Sequence, residues 1–267
     1  MLKSDKNLSK SEIKDLSDVS ISVCYIVKNE EKYIGKNISK VKELINPNEI
    51  LVVDTGSTDK TVQIALKSGA RVEHYKWCDD YSKARNYALK MAKNDRILFL
   101  DADEIPYKVD MAETLRRMSL YPKAIGRIER INYCDNESIV KDLTERFFDR
   151  RFYKYEGAVH EQVVSKKKDT MIAYPIPIMV KHYGYSIRKN LTEKAEYYNS
   201  ILFKELKKHP NDPYILFQIG KGYRVMGDDK QALDYFVKAM KNNPDTHAEY
   251  YLILIQNILI LNGGTTK

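Results

Sequence analysis

The chain has 267 residues, 43% of them hydrophobic and 31% charged, with a formal net charge of +8 at pH 7. That composition excludes disordered and fibrous chains, and the length allows one α/β domain of ordinary size plus a smaller module, with a core that needs no disulfides. The positive balance suits an anionic partner, but the lysines are dispersed and no arginine-rich tail, zinc-finger or RNA-recognition signature occurs, which argues against nucleic acid.

Cys24, Cys78 and Cys134 are odd in number and widely spaced. Neither a disulfide framework nor a zinc cluster is expected, and reduced thiols in a cytoplasm fit. Residues 1–20 are polar, without an apolar core of signal-peptide length. The longest apolar stretch, Tyr250 to Leu261, falls short of the roughly 20 residues of a bilayer span. The sequence therefore reads as a cytoplasmic protein that is not an integral membrane protein.

Residues 1–19 read as an extension laid on a domain surface. Ile21 to Val27 is an almost unbroken apolar run, the pattern of a strand buried on both faces. Further strands are expected over Ile50 to Val53, around Arg71 to Tyr75, and over Ile97 to Leu100. Helical spacing fills the intervals Lys32 to Leu44, Asp59 to Ser68 and Ser82 to Ala92. This alternation predicts a mostly parallel, doubly wound α/β sheet, whose ligands bind beyond the carboxyl ends of the strands. From Ile125 to His182 the pattern changes to short mixed strands, read as the second half of the same domain. There Pro175 and Pro177 exclude a central strand. The α/β domain is assigned to 20–188.

A helical module follows over 189–262. Counting from Pro213, the residues Leu216, Ile219, Gly220, Tyr223, Ala232, Phe236, Ala239 and Pro244 fall in the register of the 34-residue tetratricopeptide pattern. Leu191 to Pro210 reads as the second helix of a preceding repeat and His247 to Leu261 as the first of a following one. A solenoid ends on a polar face, whereas Tyr250, Leu252, Ile255, Ile258 and Leu261 are apolar. Either that face packs on a partner, with a homo-oligomer through the C-terminal helices one option, or the chain is shortened.

Polar motifs sit at the predicted strand ends. Ile97 to Leu100 delivers Asp101-Ala102-Asp103-Glu104, and a magnesium or manganese ion commonly takes one or two carboxylates together with phosphate oxygens. An Asp-x-Asp pair supplies one direct ligand and one group acting through water or a ribose hydroxyl. Val53-Asp54-Thr55-Gly56-Ser57-Thr58-Asp59 forms a tight turn into a capped helix. Taken alone, each motif reads as an ordinary turn. Taken together, they make a nucleoside pocket facing a metal site. No P-loop and no Gly-x-Gly-x-x-Gly occurs at a strand end, so phosphate-loop hydrolysis and dinucleotide redox chemistry lack their cradles.

Val27-Lys-Asn-Glu30, Val53-Asp-Thr-Gly-Ser-Thr-Asp59, Ala84-Arg85-Asn86 and Leu100-Asp-Ala-Asp-Glu104, in this order within Ile21 to Tyr185, resemble the family 2 glycosyltransferases of the GT-A fold. The helical tail extends the resemblance to the bacterial subgroup that includes the S-glycosyltransferases of glycocin bacteriocin peptides, and lipopolysaccharide-core glucosyltransferases share most of the motifs. The resemblance implies a UDP-sugar donor, a divalent metal, Mn2+ or Mg2+, and inverting transfer to a peptide or protein side chain such as Cys or Ser. A cell-envelope glycan acceptor is the alternative. A non-catalytic interaction protein with a relic sugar-nucleotide domain is the rival from another class.

It also implies roles for individual residues. The nucleobase would lie against Val27, Glu30, Asp54 and Thr55, with Ser57 in the same loop and Asp101 and Ala102 on the sugar nucleotide. Many relatives carry Asp where this chain has Thr55, which leaves Asp54 as the stronger base contact. Arg85 would meet phosphate or orient a carboxylate, and Arg150 and Arg151 would face the diphosphate or stand as surface charges. Glu156 to Gln162 resembles a later segment of the subgroup, in which Glu161 is expected as general base with His160 the competitor. His182, in Lys181-His182-Tyr183-Gly184-Tyr185, is the candidate third metal ligand beside Asp103 and Asp101. Trp77 is expected in the core rather than as a sugar platform.

Overall fold

The computed structural model describes residues 19–133, 139–183, 191–242 and 249–263. The N-terminal extension up to residue 18, Cys134, Gly184, Tyr185, Pro244 and His247 lie outside the described residues, as do the side chains of Tyr250 and Leu252. The chain divides into two compact units, Met1–Glu156 with Gln162–Ser186, and Gly157–Glu161 with Ile187–Lys267.

The first unit alternates strands and helices in its N-terminal half: β1 (Ile21–Val27), α1 (Ile34–Leu44), β2 (Glu49–Asp54), α2 (Thr61–Lys67), β3 (Arg71–His74), α3 (Tyr81–Met91) and β4 (Arg96–Phe99). β1 pairs in parallel with β2 and β4, and β2 with β3. Period-two alternation divides each strand between two cores. Ile21, Val23, Tyr25 and Val27 of β1 join Ile50 and Val52 under Ile34, Ile38 and Val41 of α1. Cys24, Leu51, Val53, Ile97 and Phe99 face Ala88 and Leu89 of α3. Residues spaced by three and four on one helix face meet an apolar sheet face, which is the packing their periodicity dictates.

The chain continues through β5 (Glu104–Val109), α4 (Met111–Leu120), β6 (Ile125–Tyr133), β7 (Ile139–Asp149), β8 (Tyr153–Glu156), β9 (Gln162–Ser165) and β10 (Ala173–His182). The eight-stranded sheet runs β3-β2-β1-β4-β7-β6-β10-β5, and β8 and β9 form a separate hairpin. Two expectations are corrected here. β6, β7 and β10 have 9, 11 and 10 residues and extend the main sheet rather than forming short pieces. β10 also lies inside the sheet despite Pro175 and Pro177. Its pairing with β6 shifts register between Pro175 and Met179, and its pairing with β5 starts only at Ile178. The prolines therefore occupy a stretch with no ladder on the β5 side, where a missing N–H costs nothing. The Pro177 carbonyl is taken instead by the Asp110 amide at 2.9 Å.

The second unit contains α5 (Leu191–Lys208), α6 (Pro213–Met226), α7 (Asp229–Asn242) and α8 (Glu249–Leu261). Asp212 caps α6 by accepting from the Ile215 amide, Pro213 opens it, and Gly227 closes it at φ 80°. Leu216, Ala232, Phe236, Ala239 and Leu254 form the core. Gly220 is required by close approach, since a Cβ there would lie 2.6 Å from the Phe236 ring. Ile253, Leu259 and Ile260 of α8 are exposed. Among the described residues no helix is long and apolar enough to cross a membrane.

Phe236 is fully buried at the centre of this helix packing. Phe236→Ala is expected to destabilise the helical unit by about 3–5 kcal/mol. Urea unfolding followed by far-ultraviolet circular dichroism checks this, and an unchanged midpoint would refute it.

Candidate active site

The carboxyl ends of the parallel strands form one edge. Val27 is paired with Asp54 across β1 and β2, and the Leu100 amide donates to the Cys24 carbonyl of β1, so Asp101 leaves the sheet at the same edge. Asp54 and Asp101 are separated by one intervening strand, about 10 Å at the usual strand spacing.

The loops after β1 and β2 are locked together. Asn29, at φ 58°, donates its amide to Ser57 Oγ at 2.9 Å and accepts the Thr58 amide on Oδ1 at 2.8 Å. The Glu30 amide donates to Thr61 Oγ1 at 2.7 Å, and the Lys60 amide to Glu31 Oε2 at 3.0 Å. Asp54 accepts the Gly56 and Ser57 amides at 3.2 and 3.1 Å, and His74 Nδ1 lies 3.4 Å from its Oδ2. Thr55 donates both its amide and its hydroxyl to the Val27 carbonyl, each at 2.9 Å. The Val27 carbonyl and the Thr55 amide and hydroxyl thus bond to each other rather than being turned to a ligand. Ala102 is buried, and its carbonyl is likewise taken, by Asn37.

The Asp-x-Asp turn is held from three directions. Asn37, on the buried face of α1, donates Nδ2 to the carbonyls of Asp101, Ala102 and Glu104 at 3.1, 2.9 and 2.9 Å and accepts from the Tyr25 hydroxyl at 3.0 Å. Arg85 reaches Asp101 Oδ1 at 3.0 Å while its guanidinium lies 4.6 Å from the Phe99 ring and 5.3 Å from Tyr155. Arg146, from β7, donates to Asp101 Oδ2 and Glu104 Oε1, both at 2.7 Å. Glu104 is fully buried; it also accepts the Asp101 amide at 3.0 Å and faces Arg130 at 3.2 Å. Burial alone would raise the Asp101 pKa, but Arg146 and then Arg85 overcome it and hold the carboxyl well below the usual carboxylate range.

Asp101 was expected as a metal ligand; the structure gives both its oxygens to guanidinium groups instead. A strand more than forty residues downstream supplies the competing charge, which the local motif does not reveal. Asp103 is arranged differently, with Oδ2 3.3 Å from Nε2 of His182. His182 in turn places Nδ1 2.7 Å from Asn132 Oδ1. Among the described residues no three His, Cys, Asp or Glu side chains form a set able to hold an ion. The pair Asp103 and His182 nevertheless fits a partial site. Their spacing is close to the roughly 3 Å edge between neighbouring ligands of an octahedral ion bound at about 2.1 Å, with other positions left to phosphate and water. A mixed oxygen and nitrogen donor set suits manganese better than magnesium.

Arg150 and Arg151 fall elsewhere in the first unit. Arg150 donates to Asp95 and to the Leu89 carbonyl, and Arg151 pairs with Asp149, the partner of Arg96 at the start of β4. Both arginines therefore sit at the sheet edge opposite Asp101 and cannot face a diphosphate there. Trp77 is only partly buried, lies outside the cores and meets Tyr81 edge-on at 4.7 Å. His160 and Glu161 belong to the loop Gly157–Glu161 of the helical unit. His160 adopts φ 53°, its carbonyl accepts from the Tyr214 hydroxyl at 3.3 Å, and its ring stands edge-on to Tyr198. His160 is exposed to solvent, yet desolvation by surrounding atoms, then Lys221 and Lys194, lower its pKa to about 4.

Sequence reasoning assigned no role to Asn37, Glu104, Arg130, Asn132 or Arg146. Asn37 had a signal, an amide in the apolar series Ile34, Ile38 and Val41. Arg146 was marked by charge beside Phe147 and Phe148 in a strand.

Residues 22–210 match the profile described as glycosyl transferase family 2. The chain is 30% identical over 245 residues to a TPR repeat-containing protein of Synechococcus elongatus, covering 87% of this chain and 60% of that protein. It is 28% identical over 265 residues to the SPbeta prophage-derived glycosyltransferase SunS of Bacillus subtilis, covering 91% and 60%. The chain thus spans about three fifths of the length of these relatives. In fold it is similar to S. aureus TarS, with a TM-score of 0.52 at 15% identity over 92% of this chain and 55% of that one. With the family profile covering most of its length and the sheet, turn and helical tail just described, this chain belongs to glycosyl transferase family 2 and has a GT-A fold followed by an all-α module.

Arg146→Met leaves buried Glu104 and Asp101 without their shared cation and is expected to cost about 3–5 kcal/mol of stability. Adding Glu104→Gln should recover part of that loss. A pH series gives the sign. The depressed pKa of Asp101 stabilises the fold above the ordinary carboxylate value of about 4, and this is lost as pH falls below it. Urea midpoints between pH 2 and 7 should therefore fall less steeply in Arg146→Met than in the wild type; equal slopes would refute the pairing.

Proposed function

We propose that the chain is an inverting glycosyltransferase that moves a sugar from a UDP-sugar to a peptide or protein side chain, Cys or Ser being the candidates, with a divalent cation. The observation that carries this reading is the Asp103–His182 pair, next to a turn fixed by Asn37 and Arg146 at the strand edge where α/β sheets bind ligands. Asp103 and His182 would hold the cation, which when bound offsets charge on the departing diphosphate. The loop Asp54 to Ser57, rigid through its bonds to Asn29, forms the wall for the nucleoside, with Asp54 the contact to the base. Arg85 and Arg146 keep Asp101 ionised and fixed in place, so that its role is to shape the turn and to meet the sugar nucleotide at its edge.

Inversion requires one base to take the acceptor proton while the acceptor attacks opposite the leaving group. Glu161 is assigned that role. His160, with its crowded ring and left-handed backbone, shapes the loop that carries it. Support for a peptide acceptor comes from the helical module and from the resemblance of the motifs to the S-glycosyltransferases of glycocin peptides.

The test incubates the protein with a panel of UDP-sugars, manganese and Cys- or Ser-bearing peptides, and weighs the peptides. Asp103→Ala is expected to abolish transfer with little change in melting temperature; unchanged turnover would remove the metal assignment. Glu161→Gln is expected to leave UDP binding intact and slow transfer by about 10²–10⁴-fold. A near-normal rate would move the base elsewhere. If neither UDP with manganese nor any UDP-sugar raised the wild-type melting temperature, the non-catalytic reading would replace this one.

A further inference from the structure

We infer that Asn132 is a positioning residue that fixes the His182 imidazole as its Nδ1–H tautomer and so turns the Nε2 lone pair toward the cation position; this rests on the metal reading of Asp103 and His182 above. Asn132 is 3% exposed and lies on β6 directly opposite His182 of β10. Its amide orientation is dictated by its partners. Nδ2 donates to the Val140 carbonyl at 3.2 Å and to Asp142 Oδ2 at 3.1 Å, and neither of these groups can donate back. Rotating the amide by a half-turn would set its oxygen against two acceptors. The oxygen therefore faces His182, 2.7 Å from Nδ1.

A carboxamide oxygen only accepts, so Nδ1 carries the proton. In the neutral ring Nε2 is then an acceptor, and it stands 3.3 Å from an oxygen of Asp103. Two acceptors at that spacing form a favourable pair only around a positive species, a proton or a divalent ion, and a divalent ion with phosphate oxygens at its remaining positions meets that need when the ring is neutral. A group that holds the second nitrogen of a ligating histidine sets both its tautomer and its basicity.

The orientation is itself braced. Arg130 grips Asp142 through Nε and Nη2 at 3.0 and 2.8 Å and reaches Glu104 with Nη1 at 3.2 Å. Asn132 is thus the far end of the polar network that begins at Asp101 and Arg146. One continuous set of bonds defines both the turn that carries Asp103 and the ring that faces it.

The tautomer is read directly by two-bond ¹H–¹⁵N correlation of the imidazole nitrogens in the ¹⁵N-labelled full chain at pH 8, with His182→Gln to assign the signal. The expected result is a protonated Nδ1 and a pyridine-like Nε2 whose shift responds to Zn2+ with UDP. A protonated Nε2 with bare Nδ1 in the wild type would overturn the inference. Asn132→Ala should weaken manganese binding in the presence of UDP by about 10–100-fold, measured by the electron paramagnetic resonance of free Mn2+. Wild-type affinity in a folded Asn132→Ala protein would overturn the role of Asn132 alone. Absence of manganese binding by the wild type would remove the metal reading together with this inference. Should Asn132→Ala fail to fold, the wild-type spectrum still decides.

Discussion

A carboxylate taken out of water survives only beside a cation, and Glu104, with no solvent contact, imposes that condition on the whole turn between β4 and β5. Arg146 answers it and at the same time binds Asp101. Without this guanidinium, three acidic side chains within four residues would repel one another and splay the turn. With it, Asp101 and Glu104 are neutralised from one side, and Asp103 is presented toward His182. Asn37 completes the restraint by collecting three carbonyl oxygens of the turn on one amide nitrogen. Asp103 is therefore placed by the groups that hold its neighbours in the turn.

The same division of labour holds for the other motifs. Val27 to Glu30 and Asp54 to Asp59 face each other across neighbouring strand ends, and much of their polar capacity joins one loop to the other. In Ala84-Arg85-Asn86, Ala84 packs without solvent contact, Arg85 reaches Asp101, and Asn86 latches β8 by exchanging two bonds with the backbone of Tyr155 at 2.8 and 2.9 Å. Each motif is thus a structural joint.

This explains which features could be read from the chain. Apolar runs and helical spacing revealed β1 to β4 and their helices because burial of alternate residues is a local pattern. Three of the four motifs fall at one sheet edge because polar residues after such runs sit at strand ends, and Arg85 reaches that edge from α3. The register of Leu216, Gly220, Ala232 and Phe236 was legible because a glycine opposite a phenylalanine is demanded by helix spacing. Of the two partners of Asp101, Arg85 was legible and Arg146 was hidden, since it reaches the turn only through the pairing of β4 with β7. The place of β10 was hidden for a related reason. Prolines argue against a ladder on both sides, and nothing local states that the ladder with β5 begins after them. Of the two readings of Arg150 and Arg151, that of surface charges holds, because nearness in sequence to a loop does not say which end of a strand a residue occupies.

The position of β10 bears on how the molecule assembles as it leaves the ribosome. It emerges after every other strand, yet slots between β6 and β5. Until about residue 182 has been synthesised, both neighbours present bare backbone to solvent or to other nascent chains, and the closure that brings Ile178, Val180 and His182 home is a long-range event. Placement of His182 beside Asp103 and protection of the open edge thus arrive in one late step. A helper that shields a sheet edge during translation would act on this interval rather than on the early parallel strands.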